Sequence, residues 1–494
     1  MPTTGPFFMF RQGGATLRQR SGLFVPLMVL AVLLCFVQGY LFRDFWFDEA
    51  LTVLNFALSE PVSNIYFNYP IPNNHIVYTM MLRLWIELQP SSIDPVVWMR
   101  FLSVIFAGAT LVLLYRLFRS QFGGALMLPV LTATAASVPF LVYATAVRGY
   151  MLSALLVTVA LRFALDYARS GSGKTLVGYA VACFLTTGAI PSNLAALGGV
   201  VLYALPLCGN NFLRRRRFWI LALTPVAMFL LFYLPLARQF LGVLQLGEGW
   251  DNGFAVLRAV LAAFLYSYAM LLIPATGSIL AFDRDRYNWL WSARAMIWLL
   301  PVPAALLLPT APFPRIFLPF FPLWALLLAG GIRDLSALNC RWRRRWQPAI
   351  WIGALTLATL GWGWTAQWPE LRQAFSRRCG GAPSDDFFYG YYLRSNHVPS
   401  QTIAALQKRF PDGAPPVYMS FSADPWPLMF YGQLSGFAPA NYLFDGPRGP
   451  VPALPRGTLV IQRRGESAEE LEKRFHCTLK PVLENENHEV RQVE

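Results

Sequence analysis

Apolar residues form long runs separated by short polar segments along the first three quarters of the chain. A helix that spans a membrane needs about 20 mostly apolar residues, and it tolerates internal Pro and Gly. The runs that meet this requirement number eleven: residues 22–42, 97–115, 124–143, 149–168, 175–190, 192–208, 218–237, 254–274, 289–309, 315–331 and 347–366. The pattern predicts a mainly α-helical, polytopic membrane protein with about 11 transmembrane helices.

The last quarter of the chain, residues 369–494, has no such run and is predicted to form a small separate domain. Ser467 and Glu470 have the spacing of a capping box at the start of a helix. The segments Pro416–Phe421 and Thr458–Gln462 are rich in residues that favour β-strands. We therefore expect an α/β domain outside the membrane.

Composition and charge exclude several classes of protein. Charged residues make up 14% of the chain, whereas soluble proteins carry about 25%, so an ordinary soluble enzyme is excluded. The aromatic content of 15% excludes a disordered chain. The net charge of +15 could indicate a nucleic-acid partner, but residues 369–494 hold 14 basic and 14 acidic residues. The whole excess lies in the apolar residues 1–368, where it indicates membrane topology.

The distribution of basic residues also predicts an orientation. If the N-terminus is cytoplasmic, 19 basic residues fall in cytoplasmic loops and seven fall outside. The first run follows Arg11, Arg18 and Arg20 and is long enough for a retained anchor rather than a cleaved signal peptide. The run Arg214–Arg217 then anchors a cytoplasmic loop. We expect a bacterial inner (plasma) membrane protein with its C-terminal domain on the outer, periplasmic side.

The membrane domain, residues 1–368, contains one long external loop at residues 43–96. Acidic residues are scarce in this domain, yet six of its 12 lie in the loop. These six are Asp44, Asp48, Glu49, Glu60, Glu87 and Asp94. Their concentration outside the membrane makes this loop the first candidate for a functional site.

The segment Arg43–Ala50 places carboxylates at the membrane surface directly after the first span. Carboxylates near hydrocarbon have a raised proton affinity, which a general base requires. In a helix, Asp44 and Asp48 share a face, whereas Asp48 and Glu49 diverge and have different roles. The alternative is that Asp48 only caps a helix from Glu49 to Leu58.

A second polar segment, Asn68–His75, precedes the apolar run Ile76–Leu88. His75 is the only histidine before the C-terminal domain. It is a candidate site residue, and its alternative role is that of a hydrogen-bonded residue at a helix start. Asn73 and Asn74 are suitable caps, which favours this structural role.

Several short motifs occur in a fixed order on one side of the predicted membrane. They are Phe47–Ala50, the Pro/Asn/His turn leading into Tyr78–Trp85, Trp98–Ser103, Ala146–Tyr150 and Pro314–Pro319. In this order they resemble the membrane glycosyltransferases of the GT-C fold over roughly residues 20–335. The chain is most similar to the glycosyltransferase family 39 group, which includes protein O-mannosyltransferases and the lipid A aminoarabinose transferase. One departure is that Pro72–Ile76 replaces the family's usual His-Pro-Pro-Leu turn.

The resemblance implies transfer of a sugar from a polyprenyl-phosphate carrier to an extracytoplasmic glycan, lipid or protein, usually with inversion. It identifies Asp48 as the general base and Glu49 as its orienting neighbour. Arg100, Arg148 and Arg315 lie at external ends of spans, where guanidinium groups suit the phosphate of the donor. The alternative for each arginine is an interfacial residue whose head group reaches water.

Further candidates for substrate contact are less well defined. They are Asp44, Asn74, His75, Tyr78, Glu248 and Asp251. Glu248 and Asp251 could contact the acceptor or a metal, or they could simply lie in a solvated loop. The aromatic segments Tyr389–Tyr392 and Trp426–Tyr431 could face sugar rings or form the core of the C-terminal domain. No cofactor is identified, and a divalent metal remains open.

Two other functions are compatible with a polytopic chain. A transporter or flippase of lipid-linked glycan intermediates is expected to carry charged residues or broken helices near the middle of the bilayer. Here the ionisable residues lie at the ends of spans, which favours chemistry at the surface. A scaffold with an exported binding domain leaves the clustered external acids unexplained. The sugar, the acceptor, the oligomeric state and any pairing of Cys379 with Cys477 remain open.

Overall fold

The computed structural model describes residues 15–71, 74–208, 215–245, 300, 314–340, 398–411, 413–437, 442–444 and 453–494. Within these ranges the first part of the chain is almost entirely helical. The helices are α1 (Ala15–Leu41), α2 (Phe47–Leu51), α3 (Asn64–Phe67), α4 (Ile76–Glu87), α5 (Pro95–Phe122), α6 (Gly124–Ala136), α7 (Val138–Thr145), α8 (Tyr150–Ser170), α9 (Gly173–Ala189), α10 (Asn193–Ala204), α11 (Arg216–Tyr233), α12 (Ala237–Gln245) and α13 (Phe321–Cys340). A π-helical segment, Thr52–Ala57, continues α2, and a 3₁₀ segment, Pro314–Phe320, precedes α13.

Helices occupy eight of the eleven predicted spans, and the spans at 254–274, 289–309 and 347–366 lie outside the described residues. Among the described residues, four helical stretches are long and apolar enough to cross a membrane. They are Gly22–Leu41, Pro95–Phe122, Tyr150–Ser170 and Arg216–Gly242. The bent pair of α6 and α7 is a fifth such stretch if the two helices are counted as one span. The chain is therefore a multi-pass helical protein, while the count of eleven and the orientation remain predictions.

Local sequence explains where α5 begins and where α8 ends. Asp94 precedes α5 and its Oδ1 accepts a hydrogen bond from the Val97 N–H at 3.0 Å, while Pro95 occupies the first helical position. Helix α8 ends at Gly171, whose φ of 68° is left-handed. The Ser103 hydroxyl on α5 donates to the Ala146 carbonyl just before α8 at 2.6 Å, so the starts of these two helices lie at the same end of the bundle.

Helix α8 lies at the centre of the bundle and packs against α5, α9 and α10. Small residues allow this close approach: a Cβ on Gly178 would lie 2.5 Å from the ring of Phe163. Where α9 packs against α11, a Cβ on Gly188 would likewise lie 2.2 Å from the ring of Phe232. Helices in a bilayer associate through such van der Waals contacts, because lipid tails are as apolar as the helix faces.

The described C-terminal residues form a small α/β unit, as expected. Its helices are α14 (Pro399–Arg409), α15 (Pro425–Ser435) and α16 (Ala468–Phe475), and its strands are β1 (Val417–Met419), β2 (Tyr442–Phe444), β3 (Leu459–Arg463), β4 (Leu479–Glu484) and β5 (His488–Val493). The sheet order is β2-β1-β3-β5-β4, with β1 parallel to β2 and β3, and β5 antiparallel to β3 and β4.

Both predicted strand segments contain strands, and α16 begins where the capping motif predicted a helix. The cap itself differs from the prediction, because Ser467 is the N-cap residue but its side chain makes no capping hydrogen bond. Cys379 lies outside the described residues, so its pairing with Cys477 is still open. The segment Tyr389–Tyr392 also lies outside them.

Candidate active site

Five separate segments bring buried charged residues together at one end of the helical bundle. They are the segment from the end of α1 through α2, the starts of α4 and α5, the turn between α7 and α8, and the 3₁₀ segment before α13. The buried charged and histidine side chains they carry are Arg43, Asp44, Asp48, Glu49, His75, Arg100, Arg148 and Arg315. A buried charge is costly unless it is paired, so the contacts of these residues define the site.

Asp48 forms an ion pair with Arg315. The Arg315 Nη2 lies 3.0 Å from the Asp48 Oδ2, and the side chains are 10% and 12% exposed. Arg315 also hydrogen bonds to the Tyr150 hydroxyl, and its guanidinium lies 5.2 Å from the centre of the Trp46 ring. The adjacent guanidinium favours the ionised carboxylate, which opposes the raised proton affinity that burial alone produces. The pair retains limited access to solvent.

Glu49 points away from Asp48 and is fully buried, so the two adjacent acids diverge as the helical spacing predicted. The Arg100 guanidinium binds it with two donors, Nη2 to Oε2 at 2.8 Å and Nε to Oε1 at 3.3 Å. The carboxylate also accepts the backbone N–H of Trp46 at 3.2 Å and of Val147 at 2.8 Å. Glu49 therefore joins the start of α2, the start of α5 and the α7–α8 turn.

Arg100 also satisfies backbone carbonyls where α1 ends. Its donors bond to the carbonyl oxygens of Tyr40 at 3.3 Å, Leu41 at 3.1 Å and Asp44 at 3.1 Å, and to that of Arg43. The last carbonyls of a helix have no partner within the helix, so a fully buried arginine is well suited to this position. This arrangement weighs against the expectation that Arg100 binds the donor phosphate.

Arg148 lies between the π-helical segment and His75. It donates to the Thr52 hydroxyl at 2.8 Å and to the Asp48 carbonyl at 3.5 Å, and its Nη2 lies 3.3 Å from the His75 Nε2. Its guanidinium carbon lies 6.0 Å from the centre of the Tyr150 ring. Arg148 and Arg315 therefore both contact the residue predicted to be the base, Arg148 at its backbone carbonyl and Arg315 at its carboxylate.

His75 is held in one orientation by the backbone. Its Nδ1 accepts the Gly149 N–H at 2.9 Å. Burial, Arg148 and Arg315 lower the pKa of His75 well below its usual value, so the ring is neutral at pH 7. A Cβ on Gly149 would lie 3.0 Å from the His75 Nδ1, which explains the glycine in this turn.

The lowered pKa of His75 predicts acid sensitivity. In the unfolded chain His75 binds a proton near pH 6.5, whereas in the folded protein its pKa lies well below that value. This difference stabilises the folded protein above about pH 6.5, and the stabilisation is lost as the pH falls below that value. We expect His75→Asn, which keeps an acceptor for Gly149, to flatten the dependence of melting temperature on pH in detergent. His476→Asn is the control, because His476 is exposed and Asn tolerates its left-handed backbone. Equal slopes for both variants would contradict this assignment.

Two other candidates, Asn74 and Tyr78, make contacts within the protein. The Asn74 Nδ2 donates to the Ile65 carbonyl at 2.8 Å, and its Oδ1 accepts the Thr79 hydroxyl at 3.2 Å. The Tyr78 hydroxyl lies 3.0 Å from the Ser103 Oγ. These buried side chains organise the loop and the first turn of α4. Glu248 and Asp251 lie outside the described residues.

Two details of the segment from Asp44 to Glu49 differ from expectation. Asp44 precedes α2 in a non-helical stretch, so it does not share a helical face with Asp48. The Asp44 Oδ2 instead accepts the Ser400 N–H at 2.8 Å. The N-cap of α2 is Trp46, and Asp48 lies one residue inside the helix, so the capping alternative for Asp48 was wrong.

Sequence reasoning missed three residues that contact the charged cluster: Thr52, Tyr150 and Tyr431. Thr52 follows Asp48 by one helical turn and Tyr150 closes a motif, which are weak signals in the sequence. Among the described residues no group of three His, Cys, Asp or Glu side chains could hold a metal ion. The metal question stays open.

No protein-family model and no curated protein matches this chain. Solved structures do match. The crystal structure of ArnT from Cupriavidus metallidurans in the apo state has a TM-score of 0.56 at 14% identity, over 97% of this chain and 98% of that chain. ArnT from the same organism bound to undecaprenyl phosphate has a TM-score of 0.55 at 15% identity, over 97% and 98%. The expected resemblance is thus confirmed at the level of fold: this chain has the GT-C fold of ArnT.

Proposed function

We propose that this protein is an integral membrane glycosyltransferase. It moves a sugar from a polyprenyl-phosphate-linked donor to an extracytoplasmic acceptor. The observation that carries the proposal is the buried Asp48–Arg315 pair with Arg148 beside it, in a chain with the fold of ArnT. An ArnT structure contains undecaprenyl phosphate, which supports a lipid-linked donor for a chain of this fold.

Asp48 is the proposed general base. Its carboxylate takes the proton of the acceptor's O–H or N–H group as that atom bonds to the anomeric carbon of the donor. The bond from this carbon to the carrier phosphate breaks, and its electron pair leaves on the phosphate oxygen. Attack from the face opposite the phosphate inverts the anomeric carbon. Arg315 keeps Asp48 ionised before the proton arrives.

Arg148 and Arg315 are the proposed cations for the departing phosphate. Fixed guanidinium donors stabilise negative charge that develops as the bond breaks, and they do so best in a site with little water. Both side chains are buried and converge from different segments on Asp48. Undecaprenyl phosphate binding by Arg148→Gln that equals wild type would contradict this role for Arg148.

Glu49 and Arg100 are proposed as positioning residues. The Arg100 guanidinium donates to the Glu49 carboxylate and to backbone carbonyls at the end of α1. The Glu49 carboxylate in turn accepts the N–H of Val147, the residue next to Arg148. The pair thereby sets the distance between Asp48 and Arg148. This proposal replaces the expectation that Arg100 binds phosphate.

We further propose that the site faces the outside of an inner membrane, with the N-terminus in the cytoplasm. The 19 basic residues assigned to cytoplasmic loops, against seven outside, support this orientation. A reporter enzyme fused after Glu494 that is active in the cytoplasm would contradict it.

The proposed function is tested by mass spectrometry of lipids and surface glycans from a deletion strain and its parent. We expect the deletion strain to lose one sugar decoration and to accumulate the unused lipid-linked donor. The same product should appear when purified protein receives that donor and the acceptor. A flippase would instead change only the side of the membrane on which the donor lies, which would overturn the proposal.

A further inference from the structure

The C-terminal α/β unit contacts the segment that leads into Asp48. The Tyr431 hydroxyl on α15 accepts the Phe45 N–H at 2.9 Å, and the rings of Phe45 and Phe430 lie 4.7 Å apart. The Ser400 N–H at the start of α14 donates to the Asp44 carboxylate at 2.8 Å. Phe45, Tyr431 and Asp44 are all buried. The junction is therefore a packed, hydrogen-bonded contact made by two helices of the C-terminal unit.

This junction is continuous with the charged cluster. The Phe45 ring lies 5.1 Å from the Arg100 guanidinium, and Arg100 also donates to the Asp44 carbonyl at 3.1 Å. Arg100 in turn binds Glu49. A displacement of Phe45 thus acts directly on the ion pair that holds the start of α2.

The segment from Asp44 to Trp46 is non-helical, so its backbone groups lack the hydrogen bonds of a regular helix. Its backbone groups bond to other parts of the chain: the Phe45 N–H to Tyr431, the Trp46 N–H to Glu49 and the Asp44 carbonyl to Arg100. Of these three bonds, only the one to Tyr431 comes from the C-terminal unit. A buried N–H that loses its acceptor carries a desolvation cost, so the backbone shifts to recover a partner.

We propose that Tyr431 is a positioning residue through which the C-terminal unit holds Asp48 in its reactive position. Tyr431 bonds to Phe45, three residues before Asp48. The part of this inference that concerns turnover rests on the proposed function. The part that concerns the position of residues 44–51 does not.

The matched variants are Tyr431→Phe and Tyr442→Phe. Each removes one hydroxyl from the C-terminal unit, but the Tyr442 hydroxyl donates to the Phe437 carbonyl at 3.1 Å, within that unit. The first test is hydrogen exchange of wild type and both variants in detergent. We expect faster exchange in the peptide covering residues 44–51 for Tyr431→Phe alone. Exchange equal to that of Tyr442→Phe overturns the inference, whatever the protein's activity.

The second test is steady-state transfer with the same variants. A small displacement of a catalytic group has a large effect on rate, so we expect kcat of Tyr431→Phe to fall by about 10- to 100-fold. KM for the donor should stay close to that of Tyr442→Phe, because the phosphate contacts are unchanged. A kcat equal to that of the control, or an effect on KM alone, overturns the role in turnover. If the wild-type protein itself transfers no sugar, the proposed function is refuted, but the hydrogen-exchange result for residues 44–51 still stands.

Discussion

Replacement of Asp48 by Asn is expected to abolish sugar transfer. The variant keeps the size of the side chain but loses the carboxylate that accepts the proton, and general-base catalysis contributes about 10²- to 10⁴-fold to a rate. The measurement is the single-turnover rate of transfer from a labelled polyprenyl-phosphate sugar by protein purified in detergent. Near-normal turnover would contradict the assignment of Asp48 as the base.

Two further variants separate chemistry from folding. Asp94→Asn removes a carboxylate from the same loop, residues 43–96, and we expect it to remain active, because Asn caps a helix as well as Asp does. Asp48→Glu retains a carboxylate that can pair with Arg315 but moves it by one methylene. It should melt near wild type and still transfer slowly. Asp48→Glu at full rate would mean that the position of this carboxylate is unimportant.

Removal of Arg100 is expected to have the largest effect on stability. Arg100→Ala leaves the Glu49 carboxylate buried without its cation and leaves carbonyls at the end of α1 without donors. Breaking a buried ion pair costs about 3–5 kcal/mol, which is a large fraction of the stability of a typical protein. We therefore expect a sharply lowered melting temperature in detergent, or failure to purify a folded protein.

The matched control is Arg83→Ala in the same loop. Arg83 pairs with Glu60 at 2.7 Å and with Glu87 at 3.0 Å, but both carboxylates are exposed. Exposed pairs contribute about 0–1 kcal/mol, so this variant should melt near wild type. The double variant Glu49→Gln/Arg100→Met should recover part of the stability lost in Arg100→Ala, because no unpaired charge then remains. If Arg100→Ala melts like Arg83→Ala, the Glu49–Arg100 pair does not hold the site together.

The sequence predicted the elements of the site better than their partners. The sequence predicted that the side chains of Asp48 and Glu49 diverge, because a helix turns about 100° per residue whatever surrounds it. The sequence predicted that three arginines at span ends converge on the first loop, and in the structure each of them contacts Asp48, Glu49 or Thr52 of that loop. Motif spacing could not tell which arginine meets which carboxylate, because that depends on the rotation and depth of each helix. Arg100 therefore looked equivalent to Arg148 and Arg315.

The junction with the C-terminal unit shows the same limit. The segment Trp426–Tyr431 was interpreted as either domain core or a sugar-facing surface, since aromatic residues suit both. In the structure, Tyr431 bonds to Phe45, 386 residues away in the chain. No local pattern encodes a contact at that separation.

By itself, the sequence determined that this is a multi-pass helical membrane protein with an α/β unit at its C-terminus, and it identified a charged site after the first span. These features follow from hydrophobic run length, local propensity and the cost of placing charge in hydrocarbon, all of which act residue by residue. Only the tertiary structure decided the pairing of Asp48 with Arg315, of Glu49 with Arg100, and of Phe45 with Tyr431. The physical reason is that a buried charge or N–H takes whichever partner the packed helices bring within about 3 Å, and packing is a property of the whole chain.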